Sequence, residues 1–277
     1  MGHSGQGMPQ GPQPLPGIAH VIAVGSGKGG VGKTTVSVNL AVSLAKLGYK
    51  VGLIDADIYG PNVPTMLGAT RQPNIVADNQ IEPVLAHGVK FISIGLISPG
   101  DKPMVMRGPM LHQIIRQFLQ QVQWGELDFL VVDLPPGTGD VVISLVQTVP
   151  LTGAVVVSTG SSVALQDARK ALEMFHQVNV EVLGLVENMS QMTLPDGTVL
   201  DVFGAGGTAM TAKQFNLPFL GSVDLDPRVR EGGDRGMPSA LGSEESARAR
   251  EFAAIALKVV ERAKEVSAKS EQVLEIS

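Results

Sequence analysis

Hydrophobic positions along the chain alternate between two kinds of segment. From residue 18 onward, short runs rich in Val, Ile and Leu predict strands at 20–24, 50–54, 89–94, 129–132, 154–158, 182–186 and 219–223. Several of these runs are continuously apolar, as is typical of strands covered on both faces. Apolar residues recur at helical spacing between them, at 33–47, 109–123, 140–148, 163–177 and 207–215. This alternation predicts an α/β fold, a mostly parallel doubly wound sheet with helices on both faces.

The two ends of the chain depart from this alternation. Residues 1–17 contain five Gly and four Pro and have no apolar period, which predicts a flexible arm or linker; the first few are equally consistent with an expression scar. A last helix is predicted to begin near Ser243, with acidic residues in its first turn and one apolar stripe facing the core. We therefore expect a folded domain over 18–266 and a C-terminal tail over 267–277.

The sharpest chemical signal is the sequence GKGGVGKT at residues 27–34, between a predicted strand and a predicted helix. It matches the phosphate-binding loop (P-loop) pattern, in which glycines let several N–H groups point at one anion beside a helix N-terminus. Lys33 is predicted to reach the β- and γ-phosphates of a nucleotide, and Thr34 to offer its hydroxyl to Mg²⁺. The loop residues predicted to bind nucleotide are Gly27, Lys28, Gly29, Gly30, Val31, Gly32, Lys33, Thr34 and Thr35.

Carboxylates follow two of the predicted strands. Asp55 and Asp57 come after the strand at 50–54, and Asp133 comes directly after the strand at 129–132. Strand carboxyl ends face the ligand crevice of an open α/β sheet, so either Asp55 or Asp57 is a candidate by spacing alone. The P-loop favours Asp57, and Asp133 has the position of a carboxylate near Mg²⁺. The Pro- and Gly-rich residues 134–140 suit a loop that senses the γ-phosphate.

Composition narrows the function classes. The chain has 277 residues, a net charge of −5 and no cysteine. The missing cysteines exclude a disulfide framework, a thiol nucleophile and a thiolate-held iron–sulfur cluster built from this chain alone. The acidic balance disfavours a nucleic-acid partner. The sequence has neither a long apolar run nor a basic-then-apolar leader, so we expect no membrane partner and a cytoplasmic location.

Lys28 is a second lysine inside the P-loop. Its position resembles the signature lysine of the deviant Walker A ATPases, the class that contains the MinD, ParA and nitrogenase iron-protein families. The resemblance implies that Lys28 reaches across a homodimer interface to the partner's nucleotide. It also implies that Asp57 orients or activates the attacking water. The catalytic residues are then Lys28, Lys33 and Asp57, and the Mg²⁺ ligands Thr34, Asp57 and Asp133.

Longer motifs narrow the resemblance, and they are spread from about residue 15 to residue 260. They are DADIYGPNVP at 55–64, RGPM at 107–110, WGELDFLVVDLPPGTGD at 124–140, ENMS at 187–190, PFLG at 218–221 and DPRVREGG at 226–233. Together they resemble the Mrp/ApbC/Nbp35 family of iron–sulfur cluster carriers. The resemblance implies a P-loop NTPase that binds and slowly hydrolyses ATP as a homodimer and carries clusters to apoproteins. It also implies that Asn188 contacts adenine.

The chain departs from that family after residue 190. Many members carry Cys-Pro-x-Cys there, whereas this chain reads QMTLPDGT at 191–198, with Leu194 at the first thiol position. We therefore expect that this chain alone holds no stable cluster, and that a cysteine-bearing scaffold or apoprotein client supplies the thiols. Two alternatives stay open: a MinD- or ParA-like ATP-switched positioning protein, and an ATP-dependent ligase on the same scaffold. Residues 267–277 lack the basic amphipathic character that a MinD-like tail needs.

Overall fold

The computed structural model of the chain describes residues 11–58, 60–69, 71–76, 79–97, 108–137 and 139–276. Its strands are β1 (Ile18–Gly25), β2 (Val51–Asp55), β3 (Val84–Ala86), β4 (Val89–Ser93), β5 (Leu127–Asp133), β6 (Gly153–Ser158), β7 (Val182–Asn188), β8 (Gln191–Thr193), β9 (Val199–Asp201) and β10 (Phe219–Val223). Its helices are α1 (Lys33–Lys46), α2 (Val63–Met66), α3 (Ile94–Ile97), α4 (Gly108–Gln120), α5 (Gly139–Thr148), α6 (Ser162–Gln177), α7 (Gly207–Gln214), α8 (Pro227–Asp234) and α9 (Ala247–Ile276). A 3-10 turn lies at Ser239–Leu241.

Eight of the strands form one sheet in the order β10-β7-β6-β1-β5-β2-β4-β3. All neighbours are parallel except the edge pair β3 and β4. The central strands are buried on both faces, as their continuous apolar sequences predict. One core cluster packs α4, α5 and α6 on one face of the sheet, and a second packs α1 and α9 on the other. The predicted α/β architecture is confirmed.

Each of the seven predicted strands is found, with ends that differ from the prediction by at most two residues. The last helix differs more: α9 begins at Ala247 rather than near Ser243, and it continues to Ile276 through most of the predicted tail. Its start is later because Ser246, and not Ser243, caps it, accepting a hydrogen bond from the backbone N–H of Ala249 at 3.4 Å. Residues 1–10, Tyr59, Arg107 and Thr138, which belong to the predicted arm and motifs, lie outside the described residues.

The hydrophobic pattern of the sequence did not predict several short elements. Strands β3, β8 and β9 have three residues each, which is too few for a periodic signal. Helix α8 contains the pair Gly232-Gly233, which lowers its helix propensity, but Pro227 at its first position and the Asp226 cap start it. In the described part of the chain, no helix is long and apolar enough to span a bilayer.

The sheet brings the carboxyl ends of its parallel strands to one edge. In the register between β2 and β5, Asp55 lies beside Asp133, and in that between β1 and β5, Val24 lies beside Asp133. The loop that follows β1 is the P-loop, so residues separated by about 100 positions in sequence meet at this edge.

Candidate nucleotide-binding site

The P-loop joins β1 to α1 and depends on its glycines. Gly30 and Gly32 have φ of 82° and 80°, a left-handed conformation that favours glycine. A Cβ added to Gly32 would lie 2.1 Å from Asn188 Nδ2, so this position also has no room for a side chain. Gly27 packs against the backbone of α6, where a Cβ would lie 2.0 Å from the Asp167 carbonyl oxygen. The loop is therefore shaped by close packing as well as by turn geometry.

Asp133 is the centre of a buried hydrogen-bond network at the start of α1. Lys33 Nζ donates to Asp133 Oδ1 at 2.8 Å, and Ser37 Oγ donates to the same oxygen at 2.6 Å. Thr34 Oγ1 donates to Asp133 Oδ2 at 2.7 Å. Lys33 and Asp133 are 6% and 0% exposed, so this is a desolvated ion pair whose remaining acceptor sites are filled by hydroxyls.

Asp57 lies on the loop between β2 and α2 and faces the same lysine. Its Oδ2 is 4.0 Å from Lys33 Nζ, and its side chain is 15% exposed. Thr34, Asp57 and Asp133 therefore bring one hydroxyl and two carboxylates around the Lys33 ammonium group. Hard oxygen donors of this kind suit Mg²⁺, so the residues present fit the ion that the P-loop implies.

Asp55 has a different environment from Asp57. It is fully buried and accepts hydrogen bonds from Ser93 Oγ at 2.9 Å, Val63 N at 3.3 Å and Asp57 N at 3.2 Å. Burial, followed by the neighbouring charge of Asp133, raises the pKa of Asp55 to about 8. By spacing alone, either aspartate could have faced the crevice. In the structure Asp57 lines the cleft, whereas Asp55 accepts hydrogen bonds from both ends of the loop that carries Asp57.

A cleft of about 570 Å³ opens above this network. The predicted residues that line it are Lys28, Gly29, Gly30, Gly32, Lys33, Thr34, Thr35, Asp57 and Asn188. Three further predicted residues do not line the cleft: Gly27, Val31 and Asp133. The side chain of Val31 belongs to the hydrophobic core, and Asp133 is fully buried. Asn188 Nδ2 donates to the Val31 carbonyl oxygen at 2.9 Å, so Asn188 is also a packing residue of the P-loop. Its contact with adenine stays a prediction.

The sequence pattern did not predict that the residues of the opposite wall of the cleft lie together. It is formed by the segment after β10 and by α8, with Met66 of α2 and Met189 beside Asn188; the segment contributes Asp224, Leu225, Asp226, Val229, Arg230, Gly233 and Asp234. The DPRVREGG motif at 226–233 was the available signal, but nothing in its local sequence shows that it faces the P-loop. Only the return of the chain through β10 brings the two together.

Lys28 lies half-buried at the rim of the cleft. Its carbonyl oxygen accepts a hydrogen bond from Ser26 Oγ at 3.0 Å, and within the described part of the chain its ammonium group forms no ion pair. Lys33, by contrast, is committed to Asp133 inside its own chain. The two lysines of the loop therefore differ in whether this chain provides their counter-charge.

The segment at the family's thiol positions forms an exposed hairpin. Strands β8 and β9 pair antiparallel, and the turn between them is closed by Gly197 N donating to the Leu194 carbonyl oxygen at 2.9 Å. Gly197 has a φ of 84°, the conformation expected where a hairpin turn ends in a glycine bulge. Among the described residues, no three His, Cys, Asp or Glu side chains cluster as a metal-binding set. The hairpin carries no thiolate.

Comparisons with known proteins agree with this geometry. Residues 17–260 match the ParA family model, described as NUBPL iron-transfer P-loop NTPase. The chain is 52% identical to an iron–sulfur cluster carrier protein of Synechocystis over 248 residues, covering 87% of this chain and 70% of that protein. It is 53% identical to an iron–sulfur cluster carrier protein of Deinococcus radiodurans over 245 residues, covering 87% of this chain and 69% of that protein.

Solved structures show the same fold. A nucleotide-binding protein from Archaeoglobus fulgidus in complex with ADP is 37% identical, with a TM-score of 0.69 over 80% of this chain and 88% of that one. The cell-division ATPase MinD of Pyrococcus furiosus has a TM-score of 0.65 over 88% of this chain and 99% of that one. At 22% identity the MinD likeness concerns the fold alone.

Proposed function

This chain belongs to the family of NUBPL-type iron-transfer P-loop NTPases, and from that premise we propose that it binds and hydrolyses ATP as a homodimer in the transfer of iron–sulfur clusters to apoproteins. The observation that carries the nucleotide part is the convergence of Lys33, Thr34 and Asp133 beneath a cleft lined by P-loop glycines. The iron–sulfur cluster carrier proteins, which are 52% and 53% identical to this chain, support the proposed role in cluster transfer. They also favour a carrier over the positioning protein and the ligase.

Phosphate binding uses the backbone and Lys33. The N–H groups of the P-loop and of the first turn of α1 would donate to the phosphates, since the helix dipole favours an anion there. Lys33 is already desolvated and is held by Asp133, so it enters the complex preorganised rather than as a mobile surface lysine. A bound triphosphate then competes with Asp133 for the ammonium group.

The hydroxyl of Thr34 and the carboxylates of Asp57 and Asp133 are the groups that would hold Mg²⁺. When bound, the ion neutralises phosphate charge and orients the β- and γ-phosphate oxygens. Thr34 Oγ1 donates its proton to Asp133 and accepts a hydrogen bond from Lys33 Nζ at 3.1 Å, so one lone pair of the hydroxyl oxygen is left for a cation.

Hydrolysis needs a group that orients water, and we propose Asp57 for that role. Its carboxylate lies at the cleft, 4.0 Å from the lysine that would contact the γ-phosphate side of the nucleotide. Lys28 would complete the charge around the phosphates of the partner subunit, since its ammonium group forms no ion pair within the described part of its own chain. Catalysis would then depend on dimer formation and be slow in the monomer.

Calorimetry with Mg-ATP, together with phosphate release measured over a range of protein concentrations, tests this part. We expect binding at one site per chain and a specific hydrolysis rate that rises with protein concentration until the dimer is saturated. Chelation of Mg²⁺ with EDTA should abolish release. A rate per chain that is independent of concentration down to the nanomolar range would contradict dimer-dependent hydrolysis.

The cluster would be cargo, held through a partner's thiols. Neutral oxygen and thioether groups are poor ligands for iron–sulfur cores. The hairpin at 191–198 contains no thiolate that could replace them. Anaerobic reconstitution with iron and sulfide, followed by desalting, should leave almost no iron on this chain alone. A cysteine-bearing scaffold added to the mixture should restore retention. About four iron atoms retained per dimer without a partner, with a broad visible band, would contradict the proposal.

A further inference from the structure

Glu187 is a buried carboxylate that the proposed mechanism does not use. It is 1% exposed and lies one residue before the end of β7. Its Oε1 accepts hydrogen bonds from Ser190 Oγ at 2.6 Å and Gly206 N at 2.9 Å, and its Oε2 accepts one from Thr208 N at 2.9 Å. The last two donors belong to the N-terminus of α7, whose own N-cap residue is a glycine without a side chain. One side chain therefore caps a helix and fixes the end of a strand.

The turn that Glu187 spans is conformationally strained. Met189 has a φ of 54°, which places a non-glycine, non-Asn residue in the left-handed region. Ser190 is held on the far side of this turn by two contacts: its hydroxyl donates to Glu187, and its N–H donates to the Val223 carbonyl oxygen at 3.0 Å. Backbone strain of this kind persists where the surrounding structure over-determines it, and such positions cluster at functional sites.

The strained turn carries two residues into the nucleotide cleft. Asn188 and Met189 both line the cleft. Asn188 is 3% exposed, and its amide is packed so closely on the P-loop that no Cβ fits at Gly32. A small displacement of this turn would break the hydrogen bond from Asn188 to the Val31 carbonyl oxygen and change the part of the cleft wall that Asn188 and Met189 form.

We propose that Glu187 is a positioning residue for the nucleotide site, which holds the strained Met189 turn so that Asn188 stays against the P-loop. The inference rests on the proposed binding of ATP. Glu187 touches neither the P-loop nor the cleft in the structure; it acts through Ser190 and the backbone of 188–190. A wall that is already in place lowers the conformational cost of binding, so its loss weakens the complex.

Two variants break this arrangement at different points. Glu187→Gln leaves one acceptor oxygen for three donors, and we expect the Kd for Mg-ATP, measured by calorimetry, to rise about tenfold. Ser190→Ala removes the hydroxyl of the turn and leaves the contacts to α7, and we expect a rise of about threefold. Circular dichroism and the thermal midpoint show whether each variant is folded.

The matched control weakens α7 without touching the turn. Met210 is 68% exposed on α7, and Met210→Gly lowers the stability of that helix by an amount comparable with the loss of a cap. A residue that only caps α7 would make Glu187→Gln and Met210→Gly equivalent. We expect Met210→Gly to lower the thermal midpoint while the Kd for Mg-ATP stays within about twofold of the wild-type value.

A double variant tests the strain directly. Glycine adopts the φ of residue 189 without strain, so in a Met189→Gly background the added Ser190→Ala should raise the Kd by a smaller factor than in the wild-type chain. The proposal is overturned by a wild-type Kd in Glu187→Gln, by an equal rise in Met210→Gly, or by equal Ser190→Ala factors in both backgrounds. A wild-type chain that binds no ATP would overturn the proposed function together with this inference, whereas unchanged variants overturn the inference alone.

Discussion

The nucleotide cleft and the β8–β9 hairpin are joined through Asn188 and Met189, which line the cleft just before β8, but the two regions are built in opposite ways. In the cleft, Asp133 is 0% exposed and accepts from three side chains, so moving any one of them leaves a buried charge incompletely paired. In the hairpin, Val199 and Leu200 are 54% and 41% exposed, and the two short strands pair with each other. The comparison shows why the chain can lack thiols without losing its NTPase architecture: the hairpin contributes little to the network that shapes the P-loop.

The largest effect is expected at Lys33. Lys33→Ala removes the cation that the β- and γ-phosphates require, so we expect the Kd for Mg-ATP to rise at least ~100-fold in calorimetry. Lys258→Ala removes an exposed lysine of α9 that does not line the cleft, and is the matched control for the change in net charge. Wild-type affinity in Lys33→Ala would show that the cleft is not a phosphate site.

Asp57 should separate binding from turnover. Asp57→Asn keeps the shape of the side chain but loses the charge that we propose orients water, so we expect kcat to fall roughly 100-fold. The Kd for Mg-ATP should change by less than about threefold, since the residue is one of several groups around the cation. Phosphate release under saturating ATP measures the first quantity and calorimetry the second. Equal losses in both would assign Asp57 to binding.

Lys28 tests whether the cleft is completed by a second chain. We expect Lys28→Ala to lower hydrolysis about tenfold and to weaken ATP-dependent dimer formation in sedimentation velocity, because the partner's phosphates lose one charge-assisted contact. Lys28→Arg keeps the charge and serves as the control. If Lys28→Ala dimerises and hydrolyses ATP like the wild type, the cross-dimer role is wrong.

The smallest effect is expected in the hairpin. Leu200→Ala should change the free energy of unfolding by no more than about 0.5 kcal/mol and leave the Kd for Mg-ATP within twofold, because the side chain is half exposed. The same change at Leu40 of α1, which is 0% exposed, should cost about 2–5 kcal/mol. Chemical denaturation of both variants measures the contrast, and a comparable loss at Leu200 would mean that the hairpin supports the fold.

The amino-acid sequence by itself determined the features whose physics is local. Continuous apolar runs marked the buried strands, and the spacing of glycines, Lys33 and Thr34 marked a loop between a strand and a helix where backbone N–H groups converge. Asp133 was a candidate because a carboxylate at the carboxyl end of an apolar strand lies at the edge of a parallel sheet where ligands bind. Resemblance through longer motifs identified the family, which periodicity alone does not do.

The tertiary structure decided everything that depends on which distant segments meet. It separated Asp57 at the cleft from Asp55 in the interior, a distinction that two aspartates one residue apart do not carry in sequence. It placed Ser37 on Asp133 and α8 across from the P-loop, contacts that arise because parallel strands return their carboxyl ends to one edge. The role of Glu187 likewise depends on Thr208, 21 residues away, whose N–H it reaches because α7 packs against β7.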